Sequence, residues 1–205
     1  MAIKNLIFDL GGVILDLSVK DTLESFAKLS GLSIEKVKEL FVSSPEFELY
    51  EKGAIGDSGF REFIGKLYGV SVPDHELDKC WNAMLLGLPK NKLDLLLQLK
   101  NQYKVYLLSN TNNIHLSYIN SVIVPPLTGR DSLDEFFHRS YYSHLMGMRK
   151  PDEEIFEKVL NDNDLLARET LFLDDNADNI KGAKRVGIQT VHVTHPDLII
   201  EYFNR

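Results

Sequence analysis

Apolar positions change their period along the chain, and the changes divide it. Residues 3–8 form a short apolar run closed by Asp9 and Gly11-Gly12, which predicts a buried strand ending in a tight turn. From about residue 19 to 86 the strand pattern is absent and apolar residues recur at helical spacing. Leu23, Phe26, Ala27 and Leu29 mark one helix, stopped at Gly31. Ser33 reads as the cap of a second, carrying Ile34, Val37, Leu40 and Phe41. Asp57 is expected to cap a third, with Phe60, Phe63, Ile64 and Leu67, ended by Gly69. A fourth amphipathic piece runs over 74–86, and Gly87 with Pro89 closes the section.

After Pro89, helix and strand alternate. Residues 93–99 read as a helix and 105–108 as a buried strand ending at Ser109. A helix over 112–123 is expected to stop at Pro125-Pro126, with 124–130 a surface loop. Residues 153–160 are helical, and 170–173 are a strand ending in Asp174-Asp175. A helix over 177–186 ends at Gly187, before a last strand over 190–193. The alternation predicts an α/β fold: a Rossmann-like parallel sheet core with helices on both faces. Residues 16–88 are then a small helical-bundle domain inserted after the first strand, and 1–15 with 89–205 form the core domain.

Composition narrows the class. Ordinary proportions of apolar and charged residues (44% and 26%) exclude a disordered or fibrous chain. The apolar runs are too short to span a bilayer, and the start lacks the pattern of a secretory signal. One thiol, Cys80, forms no intrachain disulfide, so a cytoplasmic location is expected. A net charge of −7 argues against nucleic-acid binding but leaves small anionic substrates open.

Chemistry is expected at the carboxyl ends of the strands, where open α/β sheets bind ligands. Asp9, Ser109-Asn110-Thr111 and Asp174-Asp175-Asn176 stand there. Converging carboxylates repel unless a hard cation neutralises them, and Mg²⁺ takes carboxylate oxygens and pairs with phosphate. Ser109-Asn110-Thr111 before a helix makes an anion site, to which Lys150 adds a positive charge. Each feature has a plainer reading. Asp9 is also a good turn residue. Asp174-Asp175-Asn176 can simply cap the next helix, although capping explains two adjacent acids poorly. Ser109 and Thr111 can be caps as well. Lys150 alone reads as a solvated lysine.

The pieces FDLGGV, LLSNTN, RKP and FLDDNADNI, in that order, resemble motifs one to four of the haloacid dehalogenase-like superfamily. The helical insertion resembles its type-one cap. The wording is similar to the sugar-phosphatase subgroup with bacterial glucose-1-phosphate phosphatases and the N-terminal domain of soluble epoxide hydrolase. That resemblance implies a Mg²⁺-dependent phosphatase acting on a small phosphorylated metabolite such as a sugar phosphate. Asp9 would be the nucleophile that forms an aspartyl-phosphate. Asp9, the Gly11 carbonyl and Asp175 would hold Mg²⁺, with Asp174 bound directly or through water. Ser109, Asn110 and Lys150 would hold the phosphoryl oxygens.

Glu51, in an acidic-x-Gly stretch of the insertion, would contact substrate from the cap; a helix C-terminal stop explains that stretch as well. The sequence departs from the family at Gly11, where its phosphatases usually carry a second Asp as general acid and base. Metal-independent dehalogenation of a haloacid is the alternative enzyme. The Asp174-Asp175 pair disfavours it by repelling a carboxylate substrate. A phosphometabolite-binding module with little turnover is the alternative that Gly11 suggests.

Overall fold

The apolar run near the start is strand β1 (Asn5–Phe8), buried throughout in the computed structural model, which describes residues 2–204. A two-residue strand β2 (Asp16–Leu17) leads into five helices, α1 (Val19–Ser30), α2 (Ile34–Ser43), α3 (Glu46–Glu51), α4 (Asp57–Tyr68) and α5 (Asp74–Asn82). Strand β3 (Leu85–Gly87) returns antiparallel to β2, so a two-stranded stalk carries the inserted helices. Then come α6 (Lys90–Leu99), β4 (Lys104–Ser109) and α7 (Asn113–Tyr118), a π-helical turn at Ile119–Ile123, and α8 (Val124–Thr128). The chain continues through β5 (Arg139–Tyr142), α9 (Ser143–Met146), α10 (Glu153–Asp162) and β6 (Thr170–Asp174). It ends with α11 (Ala177–Arg185), β7 (Gln189–His192) and α12 (Leu198–Phe203).

The main sheet has the order β5-β4-β1-β6-β7, with every pairing parallel. Alternation along the strands feeds two apolar layers. Leu6, Phe8, Leu107 and Leu173 pack on one face with α6 and α12. Ile7, Tyr106, Leu108 and Phe172 pack on the other with α10 and α11. The inserted helices share a third, ring-rich cluster, in which Tyr50 stacks on Phe60 at 3.9 Å and Phe47 on Trp81 at 5.6 Å. Each fully buried ring of this kind contributes about 1.5–3 kcal/mol. Among the described residues, no helix is long and apolar enough to cross a membrane.

Caps explain several boundaries. Ser18 and Ser33 accept from backbone N–H groups at the starts of α1 and α2, and Gly31 ends α1 at φ 73°. Four expectations fail for local reasons. Asp57 is the first residue of its helix rather than its cap, which is Gly56. Its carboxylate instead accepts from Tyr50 Oη and Asn113 Nδ2, both at 2.7 Å, tying insertion to core. The helix expected over 74–86 stops at Asn82. There the buried Thr22 hydroxyl donates to the Trp81 carbonyl and accepts from the Met84 N–H, freeing 85–87 to pair as β3.

Pro125-Pro126 does not stop a helix. Both prolines lie in the first turn of α8, where the missing N–H matters least, so part of the expected loop is helical up to Gly129. Ser109 and Thr111 are not caps. Asn112 caps α7, its Oδ1 accepting from the His115 N–H at 3.0 Å.

Candidate active site

Parallel pairing brings the strand ends to one edge. β1 lies between β4 and β6, and its register pairs Phe8 with Leu107 and with Leu173. Asp9 therefore stands level with Asp174, with Ser109 at the neighbouring strand end. The Asp9 N–H donates to the Leu173 carbonyl at 2.9 Å. This is the crevice in which a doubly wound sheet receives ligands.

Lys150 is the centre of charge. It is 1% exposed, and its Nζ donates to Asp9 Oδ1 at 2.6 Å and Asp174 Oδ2 at 2.7 Å. The Asn110 side chain positions it by accepting from the Lys150 N–H and donating to the Lys150 carbonyl, both at 2.9 Å. Asp174 is wholly buried and further engaged by the Asn176 N–H at 2.7 Å and by Asn179 Nδ2 at 3.0 and 3.1 Å. Asp175 is exposed to the crevice. Its carboxylate packs on Gly12, whose φ is 71°, and a Cβ there would collide with Asp175 Oδ2. Gly12 is thus required twice, by backbone conformation and by contact.

Carboxylate oxygens of Asp9, Asp174 and Asp175 lie within 4.8 Å of one another. Burial pushes Asp9 up to about 7, against the pull of Lys150 and helped by the charge of Asp174. Burial and then Asp174 raise Asp175. Burial opposes the charge on Lys150, but Asp9 and Asp174 outweigh it and hold the ammonium above its usual range. One ammonium against three carboxylates leaves a deficit of positive charge. The donors are all hard oxygens, so the residues present fit Mg²⁺.

A cavity of about 360 Å³ opens from this cluster and includes Ser109, Asn110, Gly11 and Glu51 in its lining. The Ser109 hydroxyl makes only a long bond, 3.4 Å, to the Asn110 carbonyl. Glu51 enters from α3 and accepts from Arg149 at 2.9 Å, while Lys52 reaches Asp152 at 3.4 Å. A larger recess of about 620 Å³ lies between α4, α5 and α7, away from these groups.

A family model described as haloacid dehalogenase-like hydrolase matches residues 3–187. The chain belongs to the haloacid dehalogenase-like hydrolases. A D-ribitol-5-phosphate phosphatase of Bacteroides thetaiotaomicron is 32% identical over 92% of this chain and 90% of its own length. A family enzyme from the same organism, solved with magnesium and inorganic phosphate, superposes with a TM-score of 0.85. It is 38% identical, covering 93% of this chain and 94% of that one. A predicted family hydrolase from Porphyromonas gingivalis gives a TM-score of 0.86 at 29% identity, covering 100% and 99%.

Of the expected site residues, Asp9, Gly11, Glu51, Ser109, Asn110, Lys150 and Asp175 line this one crevice, and Asp174 is buried behind them against Lys150. Sequence reasoning missed Arg149, Asn179, Leu17 and His115. The first two lie inside the RKP and FLDDNADNI pieces and were open to notice. Leu17 and His115 carry no local signal. His115 is buried against Trp81, ring centroids 4.8 Å apart, with Nδ1 2.8 Å from Asn82 Oδ1. Burial lowers it to about 3, so it is neutral in the fold while the unfolded chain binds a proton below about 6.5. Its contribution is therefore complete above pH 6.5 and is lost as pH falls toward 3. His115→Gln is expected to flatten the loss of stability between pH 6.5 and 4 by up to about 1.4 kcal/mol per pH unit. Urea titrations at several pH values measure this, and unchanged slopes would assign the acid sensitivity elsewhere.

Proposed function

We propose that this chain is a Mg²⁺-dependent phosphomonoesterase acting on a small phosphorylated metabolite, a sugar phosphate, through an aspartyl-phosphate on Asp9. The observation that carries the reading is the buried Asp9 carboxylate beside Lys150, within 4.8 Å of two further carboxylates, at the mouth of a cavity. Asp9, the Gly11 carbonyl and Asp175 would hold Mg²⁺, with Asp174 directly or through water. The cation would neutralise phosphoryl charge as it develops.

The protein's own groups do the rest. Asp9 attacks phosphorus in line with the departing oxygen. Lys150 and Ser109 bind the equatorial oxygens, and Asn110 contributes by fixing the Lys150 backbone. Asp174 holds Lys150 in place. Residues 16–88 act as a helical cap on the core formed by 1–15 and 89–205. Glu51 presents a polar contact to the substrate from the cap, and closure excludes water. A cytoplasmic setting suits the single thiol, Cys80, which is buried in the ring-rich cluster. Haloacid dehalogenation gains nothing from this geometry, because three gathered carboxylates repel a carboxylate substrate.

The test is phosphate release from a panel of sugar phosphates with and without Mg²⁺. Release that requires the metal is expected. Chloride release from a haloacid, indifferent to chelator, would overturn the reading.

A further inference from the structure

The recess between α4, α5 and α7 is larger than the cavity over Asp9, about 620 Å³ against about 360 Å³. Its size falls within the range of small-molecule sites. One wall belongs to the inserted segment and carries Ser25, Arg61 and Asn82. The other belongs to α7 and the π-helical turn after it and carries Ser117, Tyr118 and Ser121. Ala83, Leu85 and Ile114 add apolar surface.

The acids in this lining are already engaged. Asp78 accepts from Arg61 Nε and Nη2, both at 2.8 Å, and Asp57 accepts from Tyr50 and Asn113. Arg61 and Lys79 balance the formal charges of Asp57 and Asp78. What the recess offers a ligand is one amide and several hydroxyls. Asn82 is 8% exposed, and its Oδ1 lies 2.8 Å from His115 Nδ1. Its Nδ2 has no partner among the described residues, and neither do the hydroxyls of Ser25, Ser117 and Tyr118. Hydroxyls and an amide around apolar surface, without net charge, suit an uncharged polyhydroxylated molecule. Its C–H faces pack on the apolar part while its hydroxyls exchange hydrogen bonds with the rest.

Asn82 and His115 join the recess to the active-site cavity. His115 lines that cavity and stacks on Trp81, which lines it too, and Leu85 lines both spaces. A ligand held by both walls favours the arrangement in which the inserted helices rest on α7. We propose that the recess is a second binding site, for a free sugar or polyol, whose occupant holds α4 and α5 against α7. Its effect on turnover rests on the phosphatase reading above; its binding does not.

The experiment titrates the full chain with sorbitol, myo-inositol and glucose, and with gluconate as an anionic counterpart. Emission of Trp81, the one tryptophan, reports on the adjoining Asn82 and His115, and saturation-transfer NMR reports bound polyol independently. Saturable binding of a neutral probe is expected, unchanged by Mg²⁺ with saturating inorganic phosphate and lost in Ser117→Phe. Ser117 is exposed, so the variant places a ring in the recess without disturbing the core, and circular dichroism checks its fold. With a sugar phosphate as substrate, the bound polyol is expected to lower kcat and KM together, KM by about fivefold or more. Ser117→Phe should keep the basal turnover and lose this response. Displacement by phosphate, binding retained in Ser117→Phe, tighter binding of gluconate, or no saturable binding of any neutral probe would each overturn the proposal. Binding in the recess with KM unchanged would overturn its hold on the inserted helices. Absence of phosphate release from every ester would sink the phosphatase reading and leave the binding result standing.

Discussion

Asp9→Asn is expected to lower phosphate release on the order of 10⁴-fold or more, because the residue forms the bond to phosphorus and no neighbour can replace it. The fold should survive, since the Asn oxygen still accepts from Lys150 where Asp9 Oδ1 does now, at 2.6 Å. Acid-quenched protein labelled with ³²P-substrate should carry phosphate on the unaltered chain and none on the variant. Turnover that is unchanged in Asp9→Asn, with the variant folded by circular dichroism, would show that the nucleophile is misassigned.

Lys150→Met is expected to have the largest effect on stability. The ammonium is the partner of both Asp9 and Asp174, and all three groups are buried. Removing one member of such a set leaves uncompensated charge and costs about 3–5 kcal/mol. That is a large share of the roughly 5–15 kcal/mol that holds a domain together. Mg²⁺ should offset part of the loss, because it neutralises the same carboxylates. A ligand at 100 times its Kd stabilises by about 2.7 kcal/mol. Urea denaturation with chelator and with saturating Mg²⁺ makes the comparison. A loss of the same size in both would mean that cation and ammonium do not share these acids.

Local patterns account for much of the architecture. β1, β4 and β6 are continuous apolar runs, and a run of that kind is stable only between two packed layers, so a parallel sheet follows. The strand ends could be read for the same reason, since the chain must turn where the apolar run stops. Asp9, Ser109 and Asp174 all lie at such stops. β5 and α12 escaped notice for opposite reasons. Arg139–Tyr142 is an edge strand whose first residue is exposed, so it lacks the apolar signature. α12 is one and a half turns long and is held by Phe203 against Phe8, ring centroids 6.1 Å apart, a contact between opposite ends of the chain.

By itself, then, the order of residues determined four strands of a parallel sheet, most of the inserted helices and the four pieces that meet at the crevice. Each of those depends on spacing within a few turns or one strand. Tertiary structure alone decided that Asn110 clamps the Lys150 backbone, that Arg149 takes Glu51, and that Leu17 fills the space beside Gly11. Those partners are distant along the chain or set by a side-chain direction across a turn. Their meeting is governed by packing of one element on another, to which local periodicity is blind.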